Sequence, residues 1–419
     1  MKNVLIVSPF FPYPLTSGGH QAIFNGMACL KGVVNVYLVY TSTESRVKKG
    51  ECVELEEKLP FVKCVPYIAP SSKHNIAWAC RCALNKLKQN SVVAKVFPKH
   101  NQTGTVETKE KEPPIFDFKV LTEGFQKYVN YLLRKYRIDI VQMEMMETIQ
   151  LADSLPQGIK KVFVHHELRW VRNELLLEQM NDADEKKKQV EELKKEEIAY
   201  LNQCDSVIVL SETDKEKLQQ AGVKTEILTS FAVVDGPVCE KNVASKENPF
   251  LLSYVGPSDH YPNYDGVMWF LRNCWQKLLE ISPKYEFQII GSWDETIQSE
   301  VLSEFKNVRF LGFVEDLESA IEGSVEIVPL NIGSGIRMKI LEAARLGVPV
   351  VSTSVGAEGL PLTNGKDILI ADCANDFVSA ICSLQGAELR RSLLASMQQS
   401  ILPMYSLAAL RRNRKDVYQ

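Results

Sequence analysis

Gly333-Ser334-Gly335 is followed by Arg337, then by Lys339 and Glu342. The surrounding stretch, PLNIGSGIRMKILEAARLGVPVVS, reads as a strand end, a glycine turn, a helix and a second apolar strand. In an open parallel sheet, ligands sit at the carboxyl ends of the strands. Strand 325–329 ends just before this turn. Two glycines let a backbone approach an anion closely, and the helix that follows offers free N–H groups and a positive dipole end. Arg337 can donate a bidentate fork to phosphate oxygens, and Lys339 supplies a second, more mobile cation. Together they balance about the charge of one diphosphate. Lys339 and Glu342 are i,i+3 and share a helix face. Beyond a phosphate-bound Lys339, the Glu342 carboxylate is placed to accept both hydroxyls of a ribose. The plainer reading is a surface helix with an i,i+3 ion pair. A cation in the first helical turn opposes the dipole, and that misfit argues for a ligand.

His165-His166-Glu167 closes a second apolar strand, 161–165. A histidine at a strand end facing a cleft can orient or polarise a reacting group. It can equally bond to nearby backbone. Glu144, just past strand 138–142, is either a ligand on the acceptor side of such a cleft or a carboxylate at a helix N-terminus. Asp182-Ala-Asp184 has the spacing of a metal-binding acid pair, but it sits in a run of alternating Asp/Glu and Lys, 181–197, and reads as solvated surface. No metal site is expected. Of the ten cysteines, only Cys80-Arg-Cys82 approaches a ligand pair, and no second pair completes it. A dinucleotide-type G-x-G-x-x-G is absent from the loop PFFPYPLTSGGH after the first strand, which excludes that class of dehydrogenase.

The elements that must position these residues alternate. Strand 3–8, helix 22–31 and strand 33–40 form a βαβ unit. Helix 122–136, strand 138–142, strand 161–165, a long charged helix to 202 and strand 206–210 continue it. Residues 235–248 are polar and read as a linker. The alternation restarts with strand 250–255, the loop GPSDHYPNYDG, helix 267–281 and strand 285–290. Shorter strands follow at 308–311, 325–329, 348–352 and 368–370. The expected architecture is two doubly wound, Rossmann-like α/β domains with an interdomain cleft, the first spanning 1–235, the linker 236–248 and the second 249–399.

Bulk properties are those of a globular protein. The 419 residues are 45% hydrophobic and 24% charged, with a net charge of −3, so no global basicity points to nucleic acid. The N-terminal apolar run is ended by Pro9 and reads as a buried strand, not a signal segment. No stretch of about 20 apolar residues suggests a membrane span. The irregular cysteines read as reduced thiols of a cytoplasmic protein. Residues 71–100 carry six cations and no acid among apolar positions, which suits peripheral docking on an anionic membrane surface. The plainer reading is a packed apolar face with the lysines solvated.

PLNIGSGIRMKILEAARLGVPVVSTSVGAEGL strongly resembles the C-terminal signature of the family 4 glycosyltransferases of the GT-B fold. NGKDILIADCANDFVSAI, SYVGPSDHYPNYDGVMWFL, FQIIGSWD and NVRFLGFVEDLESAI fit the same family in order and spacing. SPFFPYPLTSGGHQAIFNGMACL looks like its first strand and glycine loop, and VFVHHELRW like the segment with its active-site histidine. The resemblance implies a retaining, metal-independent transfer of a hexosyl group from a nucleotide-diphosphate sugar, with no cofactor. The acceptor would be a glycan or lipid-linked hydroxyl in cell-surface polysaccharide or glycolipid synthesis, at the inner face of a membrane. By that resemblance Arg337 and Lys339 hold the diphosphate and Glu342 the ribose. Gly256, Gly333, Ser334 and Gly335 line the donor, Phe313 and Val314 meet the base, and Gly18 and Gly19 close the phosphate side. His166 lies by the reacting sugar, with His165 and Glu144 on the acceptor side. A last helix, about 400–419, is expected to pack back on the first domain. Two departures stand out. Ser334 replaces the family's usual glutamate, and the loop GPSDHYPNYDG lacks the usual cations. The turn is therefore expected to carry the anion's countercharge. A non-catalytic nucleotide-sugar-binding subunit and a sugar-nucleotide epimerase are the alternatives.

Overall fold

Hydrophobic runs such as NVLIV and SVIV form strands buried on both faces, as a parallel sheet between helical layers requires. The computed structural model describes residues 1–68, 121–178, 180, 184–234, 236, 238 and 248–419. The basic segment 71–100, read as a membrane-docking element, and most of the expected linker lie outside the described residues.

The first sheet contains β1 (Asn3–Val7), β2 (Asn35–Val39), β4 (Val62–Cys64), β6 (Ile140–Glu144), β7 (Lys160–His165), β8 (Ser206–Val209) and β9 (Glu226–Thr229). Short strands β3 (Thr41–Ser42) and β5 (Tyr67–Ile68) pair separately. The order is β4-β2-β1-β6-β7-β8-β9, parallel at every step. Alternation along β1 divides the core: Leu5 and Val7 enter one cluster, Val4 and Ile6 the other. The second sheet contains β10 (Leu251–Val255), β11 (Glu286–Ile290), β12 (Val308–Gly312), β13 (Val325–Val328), β14 (Val350–Ser352) and β15 (Leu369–Ile370). Its order is β12-β11-β10-β13-β14-β15, again parallel.

Strand order reverses between β1 and β6 in one sheet and between β10 and β13 in the other. The loops leaving these four strands therefore open onto crevices where a ligand can enter. Two helices start earlier than the pattern predicts. Helix Gly18–Ala28 begins at the glycine pair because the Ser17 hydroxyl caps it, accepting from His20 N–H at 3.3 Å. Tyr261–Phe270 starts inside the stretch read as loop, with Pro262 in its first turn, where a missing N–H costs nothing.

The last helix, Leu407–Arg414, and the 3-10 turn Lys415–Tyr418 lie on the first sheet. Leu410, Val417 and Tyr418 join the Val4/Ile6 cluster. The Tyr418 hydroxyl donates to Gln142 Oε1 on β6, and Arg414 Nε donates to Ser230 Oγ at 2.8 Å. Tyr418 is 1% exposed. Tyr418→Ala should cost about 3–4 kcal/mol through the cavity it leaves. Tyr418→Phe should cost about 1–2 kcal/mol by leaving Gln142 without its donor. Chemical denaturation of the three proteins measures both differences, and equal midpoints would show that this helix does not support the first sheet.

Candidate functional site

A cleft of about 750 Å³ lies where the two strand-order reversals face each other. From the second sheet it is lined by Gly256, Asn263, Phe313, Val314, Gly333, Ser334, Arg337, Lys339 and Glu342. From the first it is lined by Gly18, Gly19, Met145, His166, Glu167, Arg169 and Arg172.

The glycine turn docks directly on the end of β7. Ser334 Oγ donates to the Leu168 carbonyl at 2.8 Å. Gly335 has φ +75°, and a Cβ there would fall 2.5 Å from the His166 carbonyl oxygen. Only a residue without a side chain fits both the backbone angle and the gap. Ser334 is thus a contact to the opposite domain, where the family pattern suggested a donor-facing residue. Gly335 meets the His166 backbone and does not line the cleft.

Arg337 is the N-cap of helix Met338–Arg345, with extended backbone, one residue short of the first turn. Its guanidinium folds back over the turn. Nη1 donates to the Ser334 carbonyl at 2.5 Å and to the Gly335 carbonyl, and Nη2 reaches the Val355 carbonyl at 3.4 Å. The fork expected to clamp phosphate holds the turn's own carbonyls. A Cβ on Gly333 (φ +144°) would collide with it at 2.3 Å. Lys339 does turn to the cleft. Its Nζ is 3.2 Å from Asn263 Oδ1 and 4.0 Å from the centre of the Tyr254 ring. Burial pulls its pKa down, and Glu326 opposes that pull. Glu342 pairs with Arg345 at 3.7 Å, not with Lys339, so its i,i+3 partner lies on the C-terminal side. Burial raises its pKa and Arg345 lowers it.

Across the cleft, His166 Nε2 donates to Glu144 Oε2 at 2.7 Å. Glu144 is 1% exposed and also accepts from Gln142 Nε2. It is the support of His166 and does not reach the cleft, which corrects its reading as an acceptor ligand. His165 is corrected too. It is 2% exposed and points to the opposite face, with Nε2 2.7 Å from Glu197 Oε1 on helix Asp184–Leu201. Neighbours at a strand end face opposite ways, so only one of the two histidines can serve the cleft.

The sequence reading missed three residues here. Arg172 Nη1 bonds both Glu167 oxygens, at 2.9 and 2.8 Å, and Arg169 pairs with Glu147. Burial lowers the Arg172 pKa, and Arg169 and Arg337 add to that. Cations therefore reach the cleft from the first domain as well, and the turn does not carry the countercharge alone. The signal was present as E-x-x-x-x-R after the histidines. His260, near the missing loop cations, has its pKa pushed down by desolvation and by Arg172, Lys339 and Arg337, against Glu167.

A second cavity of about 430 Å³ adjoins the cleft at Pro14. Phe10, Tyr13, His20, Arg46, Lys49 and Glu54 line it. Glu51 also lines it, but accepts from the Tyr40 and Ser42 hydroxyls.

Residues 249–386 match the family model of the glycosyl transferases group 1. Residues 150–230 match that of the glucosyltransferase 3-like N-terminal domain. A curated relative, an uncharacterized 44.6 kDa protein in the cps region of Klebsiella pneumoniae, is 27% identical over 118 residues. That alignment spans 26% of this chain and 30% of the relative. Among solved structures, a point mutant of S. aureus TarM, in complex with fondaparinux, alpha-GlcNAc-glycerol and UDP, has TM-score 0.66 at 13% identity, covering 100% of both chains. Anabaena HepE in complex with UDP-glucose has TM-score 0.63 at 12% identity, covering 100% of this chain and 99% of the other. The pneumococcal O-GlcNAc transferase GtfA, in complex with UDP and GlcNAc, has TM-score 0.63 at 12% identity, covering 100% and 98%. The chain has the GT-B fold, two parallel-sheet domains facing a cleft. Among the described residues, no helix is long and apolar enough to cross a membrane.

Gly335→Ala should wedge the two domains apart. The left-handed backbone alone costs about 1–2 kcal/mol, and the overlap with the His166 carbonyl adds to it. Small-angle scattering should show a larger radius of gyration, while Gly32→Ala, which meets nothing within 4 Å, leaves it unchanged. Equal radii would show that the turn does not set the closure.

Proposed function

We propose that this chain is a retaining glycosyltransferase. It moves a hexosyl group from a nucleoside diphosphate sugar, read here as a uridine diphosphate sugar, to a hydroxyl of a glycan or lipid-linked acceptor. The observation that carries the reading is the convergence of Lys339, the glycine turn and Glu342 on one cleft opposite His166 and Arg172. UDP in the complexes of TarM, HepE and GtfA supports the choice of base. The cps-region relative supports a place in surface polysaccharide or glycolipid synthesis, on the cytoplasmic side of a membrane.

In this reading the anomeric carbon–oxygen bond breaks toward an oxocarbenium-like transition state, and the leaving diphosphate takes up the electron pair. Lys339, Arg172 and the N–H groups of helix Met338–Arg345 stabilise that charge without metal. Arg337 acts one step back, by fixing the turn. Glu342 accepts the ribose hydroxyls, and Phe313, 66% exposed on the rim, meets the base. His166, held by Glu144, faces the sugar and orients it. The acceptor hydroxyl forms the new bond on the face the diphosphate leaves, and its proton departs with the leaving oxygen. A closed cleft limits attack by water.

The second cavity is the proposed acceptor subsite. Aromatic faces beside hydrogen-bonding groups of both charges suit a sugar ring.

Incubation with a panel of nucleotide sugars and crude lipid-linked glycan should release UDP from one UDP-sugar. A new sugar nucleotide would instead mark an epimerase, and binding without turnover a scaffold subunit. Lys339→Met should weaken UDP binding by about 1.5–3 kcal/mol in calorimetry. His166→Ala should cut turnover at least tenfold while leaving UDP affinity within about twofold. Proportional losses in both would make His166 a binding contact.

Arg46→Ala and Tyr13→Ala should raise the acceptor KM about 5–10-fold, or about 1–1.4 kcal/mol. Donor hydrolysis without acceptor should stay unchanged. An unaltered acceptor KM in both variants would place the acceptor elsewhere.

A further inference from the structure

Strand β6 carries two polar residues on one buried face. Gln142 and Glu144 are i,i+2 and so stand on the same side of the sheet, 0% and 1% exposed. Ile140, the next residue in that row, packs in one cluster with Leu410, Val417 and Tyr418 of the C-terminal segment. A buried amide and a buried carboxyl on a central strand cost stability wherever their hydrogen bonds are not met. Here they are met end to end.

The Tyr418 hydroxyl donates to Gln142 Oε1. Gln142 Nε2 donates to Glu144 Oε1. Glu144 Oε2 accepts from His166 Nε2 at 2.7 Å. Three hydrogen bonds thus join the C-terminal turn to the cleft. Each has a fixed sense. A Gln142 amide turned the other way would set its oxygen against a Glu144 carboxylate oxygen, two acceptors face to face. The amide nitrogen therefore faces Glu144, the amide oxygen faces Tyr418, and the tyrosine must donate. At the far end, the bond that one ring nitrogen makes decides the tautomer of a histidine. With Nε2 turned to Glu144, Nδ1 is the ring nitrogen left for a ligand in the cleft.

We propose that Tyr418 and Gln142 are positioning residues for His166. Through Gln142, the C-terminal turn fixes the Glu144 carboxylate, and so holds His166 in the Nε2–H tautomer with Nδ1 toward the bound sugar nucleotide. The inference rests on reading His166 as the residue that faces the donor sugar, and adds to it a part for the last turn of the chain. Neither Gln142 nor Tyr418 is among the residues that line the cleft. Leucine at 142 and phenylalanine at 418 would fill nearly the same space with no polar group to satisfy, so both links can be cut at little change of volume.

Ring-nitrogen magnetic resonance spectra of protein carrying isotope-labelled histidine test this without substrate. At about pH 9, above the usual histidine range, native His166 should read as the Nε2–H form, its signals identified by their loss in His166→Gln. Tyr418→Phe should move part of it to the Nδ1–H form, and Gln142→Leu should move more. Leu410→Ala removes packing from the same segment, leaves the hydrogen bonds in place and should read as native. A native Nδ1–H form overturns the proposal. So do native-like spectra in both Tyr418→Phe and Gln142→Leu, and so does an equal change in Leu410→Ala, which would trace the effect to packing. Should Gln142→Leu not fold, Tyr418→Phe, which loses a single oxygen, decides alone. In turnover of a UDP-sugar, Tyr418→Phe should lower kcat about three- to tenfold with UDP affinity within about twofold, and an unchanged kcat overturns the positioning role. If the chain neither binds UDP nor releases it from any UDP-sugar, the functional reading fails, and the ring spectra still decide whether the C-terminal turn sets the histidine.

Discussion

The turn at 333–335 and the end of β7 meet with no room for a side chain at Gly335, and the rest of the site depends on that contact. One side of it ends in His166 and the other opens the helix that carries Lys339 and Glu342. A peptide carbonyl and a glycine, with the Ser334 hydroxyl on the Leu168 carbonyl, set how closely the two sheets approach. A carboxylate at position 334 would lie in this contact next to a carbonyl oxygen. Serine there trades a donor-facing group for an interdomain hydrogen bond.

Most charged groups at the cleft are backed by a partner behind them. His166 is backed by Glu144, Arg172 by Glu167, Lys339 by Asn263, and Arg337 by the carbonyls of its own turn. Such pairs contribute little net stability once desolvation is counted. Their effect is to fix the geometry of the cleft's charged groups.

The His-His-Glu triplet shows how one residue of register decides which histidine meets the cleft. His165 ends β7 on the face covered by helix Asp184–Leu201 and spends its ring on Glu197. His166 follows on the other side and meets the cleft. By its composition that charged helix reads as solvated surface, yet Glu197 is 2% exposed and bonds a core histidine.

The two α/β domains, their parallel sheets and the glycine turn after β13 were legible in the sequence because they rest on local signals: apolar runs, glycine turns and strand–helix alternation. That His166, Lys339 and Glu342 line one cleft was legible for the same reason, each lying beside a strand end or on one helix face. The tertiary structure decided what no local pattern carries. It turned the Arg337 fork inward onto the carbonyls of Ser334 and Gly335. It made Glu144 a buried support rather than a cleft ligand, because β6 and β7 are neighbours and bring it to 2.7 Å from His166. It brought Arg169 and Arg172 toward the turn from a segment some 165 residues away in sequence, through the docking of Ser334 on Leu168. Side-chain partnership across domains depends on how the sheets meet, and that is set by long-range packing, to which periodicity and spacing are blind.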